Sequence, residues 1–125
     1  NYNDLTMPLT KRDFVIKRND TLPALRLNVI DRGCLGQSQA FDMTGATGVT
    51  FTMTDSSGNY KVAKKAAVIV SSSGGTIQYN WAAEDTDENG SFKGEFQINY
   101  AGGGRLTVPQ QGYLHIEIPK DITYD

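Results

Sequence analysis

Apolar and polar residues alternate with a period of two on both sides of an acidic loop near the middle of the chain. The alternation runs over residues 76–81 before the loop and over residues 92–100 after it. A period of two puts one side-chain face of a β-strand inside the fold. Each large side chain that is fully buried then stabilises the fold by about 1.5–3 kcal/mol. The pattern predicts two central strands, with the expected core anchors Tyr79, Trp81, Phe92, Phe96 and Ile98.

Further alternating segments predict the remaining strands. Val49, Phe51 and Met53 alternate with threonines, and Phe51 is expected to be a sixth core anchor. Pro109 has no N–H group for a strand ladder, so it should lie at an edge or beyond the end of a strand. Other short strands are expected at residues 13–17, 25–29, 60–70, 105–108 and 114–118, and an irregular connection at residues 37–48. About seven or eight strands without a helical pattern predict an all-β antiparallel sandwich.

The chain has the size of a single domain with a short arm at its start. It has 125 residues, and its composition does not shift along its length. We expect the sandwich to occupy residues 11–125. Residues 1–10 carry no sustained hydrophobic period and predict an extended arm. Its scattered apolar side chains, expected to contact a neighbouring subunit in a symmetric homo-oligomer, are Tyr2, Leu5, Met7 and Leu9.

Charge and cysteine content exclude several classes of partner and linkage. Twelve Lys and Arg residues against fourteen Asp and Glu residues give a net charge of -2, and the basic residues are scattered. This distribution argues against a nucleic-acid partner. No apolar run approaches the roughly 20 residues that a membrane span needs. Cys34 is the single cysteine, so the chain cannot form an internal disulfide.

The acidic loop reproduces half of a calcium-binding pattern. Asp85, Asp87 and Asn89 stand at alternate positions before Gly90, as in the first half of a calcium loop. The second half fails, because the twelfth position is Phe96 instead of a glutamate. Acids, asparagine and glycine also favour surface turns. We therefore expect a turn without a metal, and we expect no cofactor.

Other reactive side chains do not form a catalytic set. His115 is the single histidine, and no histidine or helix start near Cys34 in sequence would activate that thiol. Asp85, Asp87 and Glu88 share one turn, so they cannot flank a glycosidic bond from opposite sides. The sequence predicts a protein that is not an enzyme.

A series of short motifs resembles, in order and spacing, the N-terminal domain family of phage baseplate upper proteins. The match covers most of the chain outside the arm. The segments that carry it are residues 13–16, 20–23, 43–51, 79–81, 85–86, 90–96, 106–109, 112–113 and 116–118. Members of that family are immunoglobulin-like modules of the receptor-binding apparatus of tailed phages.

The resemblance implies a structural virion protein of the tail or baseplate. Such a protein would anchor or space a receptor-binding element through contacts with other virion proteins, and it would be located in the virion. Two alternatives stay open. One is a capsid decoration protein, and the other is a carbohydrate- or calcium-dependent binding module that exposes Trp81 and Tyr79 as a stacking platform.

Two positions depart from the pattern of immunoglobulin-like domains. Phe92 stands where such modules usually carry a tyrosine, so a hydroxyl that would pin this corner to nearby backbone is absent. Gly94 stands where an antibody-type domain has its second cysteine, which excludes an inter-sheet disulfide.

Overall fold

Nearly all of the regular structure is β-strand. The computed structural model describes residues 13–32 and 38–120. The predicted all-β sandwich is confirmed. The strands are β1 (Phe14–Val15), β2 (Leu25–Asn28), β3 (Ile30–Arg32), β4 (Ser38–Ala40), β5 (Ala46–Asp55), β6 (Tyr60–Ser71), β7 (Thr76–Tyr79), β8 (Gly90–Tyr100), β9 (Arg105–Val108) and β10 (Leu114–Ile118). Two short 3-10 helices lie at Ala83–Thr86 and Ala101–Gly103, and no helix in the described ranges is long and apolar enough to cross a membrane.

The strands form one continuous path that folds over at β6. The order is β1-β10-β8-β5-β6-β7-β2, and β9 pairs with β8 off this path. The first part of β6, up to Ala67, pairs with β5, whereas Val68–Ser71 pairs with β7. A strand that changes sheets in this way makes the corner of a sandwich. The β6-β7-β2 layer therefore covers the inner face of the larger sheet, and Phe51 of β5 stacks on Tyr79 of β7 with ring centroids 4.7 Å apart.

Strand β8 is the centre of the larger sheet. It pairs with β5 along one side, and along the other side with β10 and then with β9. All three pairings are antiparallel, whereas β1 adds to β10 in parallel. Pro109 follows directly after the last residue of β9, as expected for a residue that has no N–H group.

The core is filled by the alternating inward side chains of both layers. Burial follows a period of two along β5, β8 and β10. The six expected anchors are all buried, with exposed fractions of 0% for Phe51, Phe96 and Ile98, 2% for Tyr79, 3% for Phe92 and 5% for Trp81. Trp81 lies beyond the end of β7, so it keeps its inward direction after the strand pairing has stopped.

The segment predicted as an irregular connection contains a strand. Residues 38–40 form β4 and pair with β3 as a small separate hairpin. Main-chain hydrogen bonds continue after β4. Phe41 N donates to Val29 O over 2.9 Å, and Met43 N donates to Ser72 O over 2.8 Å. Small and polar side chains hid these elements, since main-chain hydrogen bonds need no hydrophobic period. The predicted arm, including Tyr2, Leu5, Met7 and Leu9, and Cys34 lie outside the described residues.

The two central strands do not pair with each other. β7 lies between β6 and β2, whereas β8 lies in the other layer beside β5. The acidic loop between them is therefore a crossover from one layer to the other instead of a hairpin turn.

The packing at Gly94 gives a first testable consequence. A Cβ atom at this position would lie 2.7 Å from Ile116 Cδ1 and 3.0 Å from the Phe51 ring. We expect Gly94→Ala to lower the free energy of unfolding by about 1–3 kcal/mol through overpacking. Gly48→Ala is the control, because a Cβ there meets nothing within 4 Å. Equal urea midpoints for the two variants would contradict this account of the core.

Candidate functional site

The acidic loop is held to the core by a buried carboxylate. Asp85 is fully buried in the short 3-10 helix at the start of the crossover. Its Oδ2 accepts hydrogen bonds from the Tyr79 hydroxyl at 2.6 Å and from the Ala82 backbone N–H at 2.8 Å. Its Oδ1 accepts a hydrogen bond from Lys65 Nζ at 3.2 Å. Both oxygens of the Asp85 carboxylate therefore accept hydrogen bonds from the protein itself.

The protonation of Tyr79 fits this arrangement. Burial raises the pKa of the Tyr79 hydroxyl above its usual range, and the hydrogen bond to Asp85 raises it further. The hydroxyl stays protonated at neutral pH and acts as the donor. The hydrogen bond to Asp85 likewise raises the pKa of Lys65, which keeps its positive charge.

The outer acids of the loop are paired with a second lysine of β6. Lys61 Nζ contacts the Asp87 carboxylate and lies 3.5 Å from Glu88 Oε1. The hydrogen bond to Asp87 raises the pKa of Lys61. Asp85 and Asp87 therefore face different lysines and do not converge on a common cation. The loop that resembles half of a calcium site works as a charged corner between β6 and the crossover.

The same corner is tied to the loop between β1 and β2. Thr86 is fully buried, and its Oγ1 donates to Asp20 O over 2.8 Å. In return, Asn19 N donates to Thr86 O over 2.8 Å. These two hydrogen bonds fix the position of the corner against the loop between β1 and β2.

A β-bulge changes the outer surface of the larger sheet. Phe51 pairs with Lys65 and Met53 pairs with Val62, so two residues of β6, Ala63 and Lys64, oppose Thr52. Lys64 has a φ of 47°, and its backbone N–H donates to Thr52 Oγ1 over 3.2 Å. Bulges bend a strand and redirect its side chains, and they often lie beside binding sites.

The bulge borders a groove of about 460 Å³ on this outer surface. That volume falls in the range of about 300–1,000 Å³ that is common for small-molecule sites. Tyr60 stands at one side of the groove with 71% of its surface exposed. We call this feature the bulge groove, and its lining residues are Thr52, Thr54, Tyr60, Ala63, Lys64, Glu95, Gln97 and Thr107.

The polar groups of the bulge groove are available to a ligand. Within the described ranges, the side chains of Tyr60, Lys64, Glu95 and Gln97 make no hydrogen bond or ion pair with the protein. The acidic loop has the opposite character, because its carboxylates are bound to lysines and backbone. Of these two polar regions, the bulge groove is the candidate recognition site.

A smaller polar pair lies on β10. His115 Nε2 is 3.6 Å from Glu117 Oε1, and the Ser91 hydroxyl donates to the same oxygen over 2.7 Å. No group of three or more His, Cys, Asp or Glu side chains suited to a metal occurs among residues 13–32 and 38–120. The pair supplies two ligand atoms from side chains that are 29% and 24% exposed.

Trp81 and Tyr79 do not form a stacking platform. Both rings are buried, and Trp81 packs edge-on against Phe51 and Tyr79 with centroids 5.7 Å and 5.3 Å apart. The exposed aromatic ring of the bulge groove, Tyr60, was missed by sequence reasoning. The groove is built from side chains of four strands, and the sequence does not give the register between those strands. The outward threonines of β5 were a partial signal that this face is polar.

Comparison with known proteins returns a match in fold. The chain is similar to CopC from Methylosinus trichosporium OB3b, with a TM-score of 0.52 and 9% sequence identity over 92% of this chain and 91% of that chain. No protein-family model and no curated protein matches the sequence. At this identity the likeness concerns the fold alone.

This comparison corrects the expectation of a phage structural protein. The neighbour in fold is CopC and not a virion protein, so the predicted tail or baseplate role and the predicted virion location are wrong. The physical reason is that the motifs behind the resemblance are turns and strand patterns, which belong to a sandwich whatever its function. The family resemblance itself stays a prediction.

The buried hydrogen bond of Tyr79 can be tested with a matched pair of tyrosines. Tyr79→Phe removes a donor from the buried Asp85 carboxylate, so we expect it to lower the free energy of unfolding by about 1–3 kcal/mol. Tyr60→Phe removes an exposed hydroxyl and should change it by less than about 0.5 kcal/mol. Urea unfolding followed by fluorescence measures both. Similar losses in the two variants would show that the Tyr79–Asp85 contact is unimportant.

Proposed function

We propose that this chain is a non-catalytic binding module that recognises a small polar ligand in the bulge groove. The observation that carries the proposal is the contrast between the two polar regions of the surface. Within the described ranges, the groove offers an exposed ring and side chains without an internal partner, whereas the carboxylates of the acidic loop are paired with Lys61 and Lys65.

The absence of an assembled catalytic set in the described ranges supports binding without conversion. The polar residues that line the groove beside the tyrosine are three threonines, a lysine, a glutamate and a glutamine, with no histidine or thiol among them. Both faces of the groove rest on paired strands, so the site is preformed and loses little ordering entropy when a ligand binds.

Saturation-transfer NMR tests the proposal with a mixed panel of free amino acids, tripeptides, disaccharides and nucleotides. We expect at least one class to receive saturation from the wild-type protein and to lose it with Tyr60→Ala, because the ring is the main apolar contact surface of the groove. Tyr113→Ala is the control, since Tyr113 is exposed outside the groove and packs near Lys93.

Binding that survives Tyr60→Ala, or no binding by any class, would refute the groove as the recognition site. Chemical conversion of a bound compound during the measurement would refute the non-catalytic assignment.

Copper handling is a second candidate function. Imidazole and carboxylate groups are suitable ligands for Cu²⁺, and the neighbour in fold is CopC. In this chain the His115–Glu117 pair is the described site that offers both groups. Two side-chain ligands are fewer than a closed site needs, so this candidate implies weak binding at the β10 surface.

Titration calorimetry with Cu²⁺ tests the second candidate. We expect any binding at this site to be lost in His115→Ala, because imidazole is its strongest ligand for copper. Glu88→Ala is the control, because Glu88 pairs with Lys61 in the acidic loop. Copper affinity that is unchanged in His115→Ala would exclude the β10 pair as the metal site.

A further inference from the structure

Two opposite charges lie across the bulge groove. Thr52 of β5 pairs with Glu95 of β8 on one side and faces Lys64 of the bulge on the other. Neighbouring strands lie about 4.8 Å apart, so the backbones of Glu95 and Lys64 are about 10 Å apart. Both residues are exposed, and neither forms an ion pair within the described ranges. The groove therefore presents an anion and a cation on backbones held about 10 Å apart.

The floor between these charges both donates and accepts hydrogen bonds. Hydroxyls come from Thr52, Thr54 and Thr107, and an amide comes from Gln97. A hydroxyl or a side-chain amide can serve as donor and as acceptor. A peptide group needs both, since it carries one N–H and one C=O.

Tyr60 adds an apolar surface on the β6 side. It pairs with Thr54 and belongs to the same strand as Lys64. A ligand whose negative end reaches Lys64 would therefore place its nearest side chain beside the exposed ring. Tyrosine offers a large contact area with few rotatable bonds.

We propose that the bulge groove binds a short peptide with free ends. Its terminal ammonium contacts Glu95, its terminal carboxylate contacts Lys64, and an apolar C-terminal side chain packs on Tyr60. Extended chain spans about 3.3–3.6 Å per residue, so about three residues match the spacing of the two backbones that carry the charges. This inference rests on the proposed function, to which it adds the class of ligand.

Other ligand classes satisfy fewer of these groups. A neutral sugar offers hydroxyls to both charges but no opposite charge to either. A nucleotide can place its phosphate on Lys64 but leaves Glu95 without a cationic partner. A zwitterionic peptide satisfies the anion, the cation and the polar floor together.

The bulge explains why Lys64 is available for this contact. With a regular register, one residue of β6 would oppose Thr52. Lys64 lies at the extra residue and has a positive φ. Its side chain does not pair with the acidic loop, whereas those of Lys61 and Lys65 do. Of these three lysines, Lys64 is the one that lines the groove.

The experiment compares the tripeptide Ala-Ala-Phe with its N-acetylated and C-amidated forms by ¹⁵N chemical-shift titration. We expect the free tripeptide to shift groove resonances. Each blocked form should bind about tenfold more weakly, because it loses one charge-assisted hydrogen bond. In Glu95→Gln the preference for the free amino end should vanish, and in Lys64→Met the preference for the free carboxylate should vanish. Glu88→Gln and Lys93→Met are the charge-matched controls and should keep both preferences.

The outcomes separate the ligand class from the site. Equal binding of free and blocked forms, or preferences that persist in both groove variants, overturns the peptide assignment. If tripeptides fail while another compound binds in a Tyr60-dependent way, the peptide assignment falls and the proposed function stands. If no compound binds in the groove, both fall. The blocked peptides leave the protein unaltered, so the test does not depend on the folding of a variant.

Discussion

The central constraint in this structure is that one strand, β6, serves two layers. Its first part completes the sheet built on β5 and β8, and its last part begins the layer that covers that sheet. The bulge at Ala63 and Lys64 bends β6 within its first part, before its pairing changes from β5 to β7 after Ala67. This strand carries the lysines that pair with the acidic loop. It also forms one side of the groove on the outer face.

The energetics of the corner depend on burial more than on its number of charges. Lys65 is 42% exposed and Glu84 is 70% exposed, so their attraction is screened by water and contributes little. The Tyr79–Asp85 contact is different, because the carboxylate is fully buried and an unpaired buried group costs about 1–3 kcal/mol. Phe92 has no hydroxyl, and the hydroxyl that holds Asp85 comes from Tyr79 of β7.

The sequence was most informative where side chains alternate between core and solvent. The period of two over β5, β7, β8 and β10 predicted strands and their inward faces, and it placed Trp81 inside. It could not predict which strands are neighbours, because pairing depends on long-range register, so it did not show that the acidic loop crosses from one layer to the other. The hairpin of β3 and β4 was missed because its side chains carry no period. The groove was missed because a bulge and a four-strand register create it.

The short outer strands limit how this sheet can grow. Within the described ranges, the path ends at β1 with two residues and at β2 with four, and β9 also has four, begins with Arg105 and stops before Pro109. Short strands, a charged side chain and a proline are devices that discourage another chain from adding to an edge. A long flat edge would make a crowded solution of such a domain prone to aggregation through main-chain hydrogen bonds. The side chains on the sheet faces are then the surface that another molecule meets first.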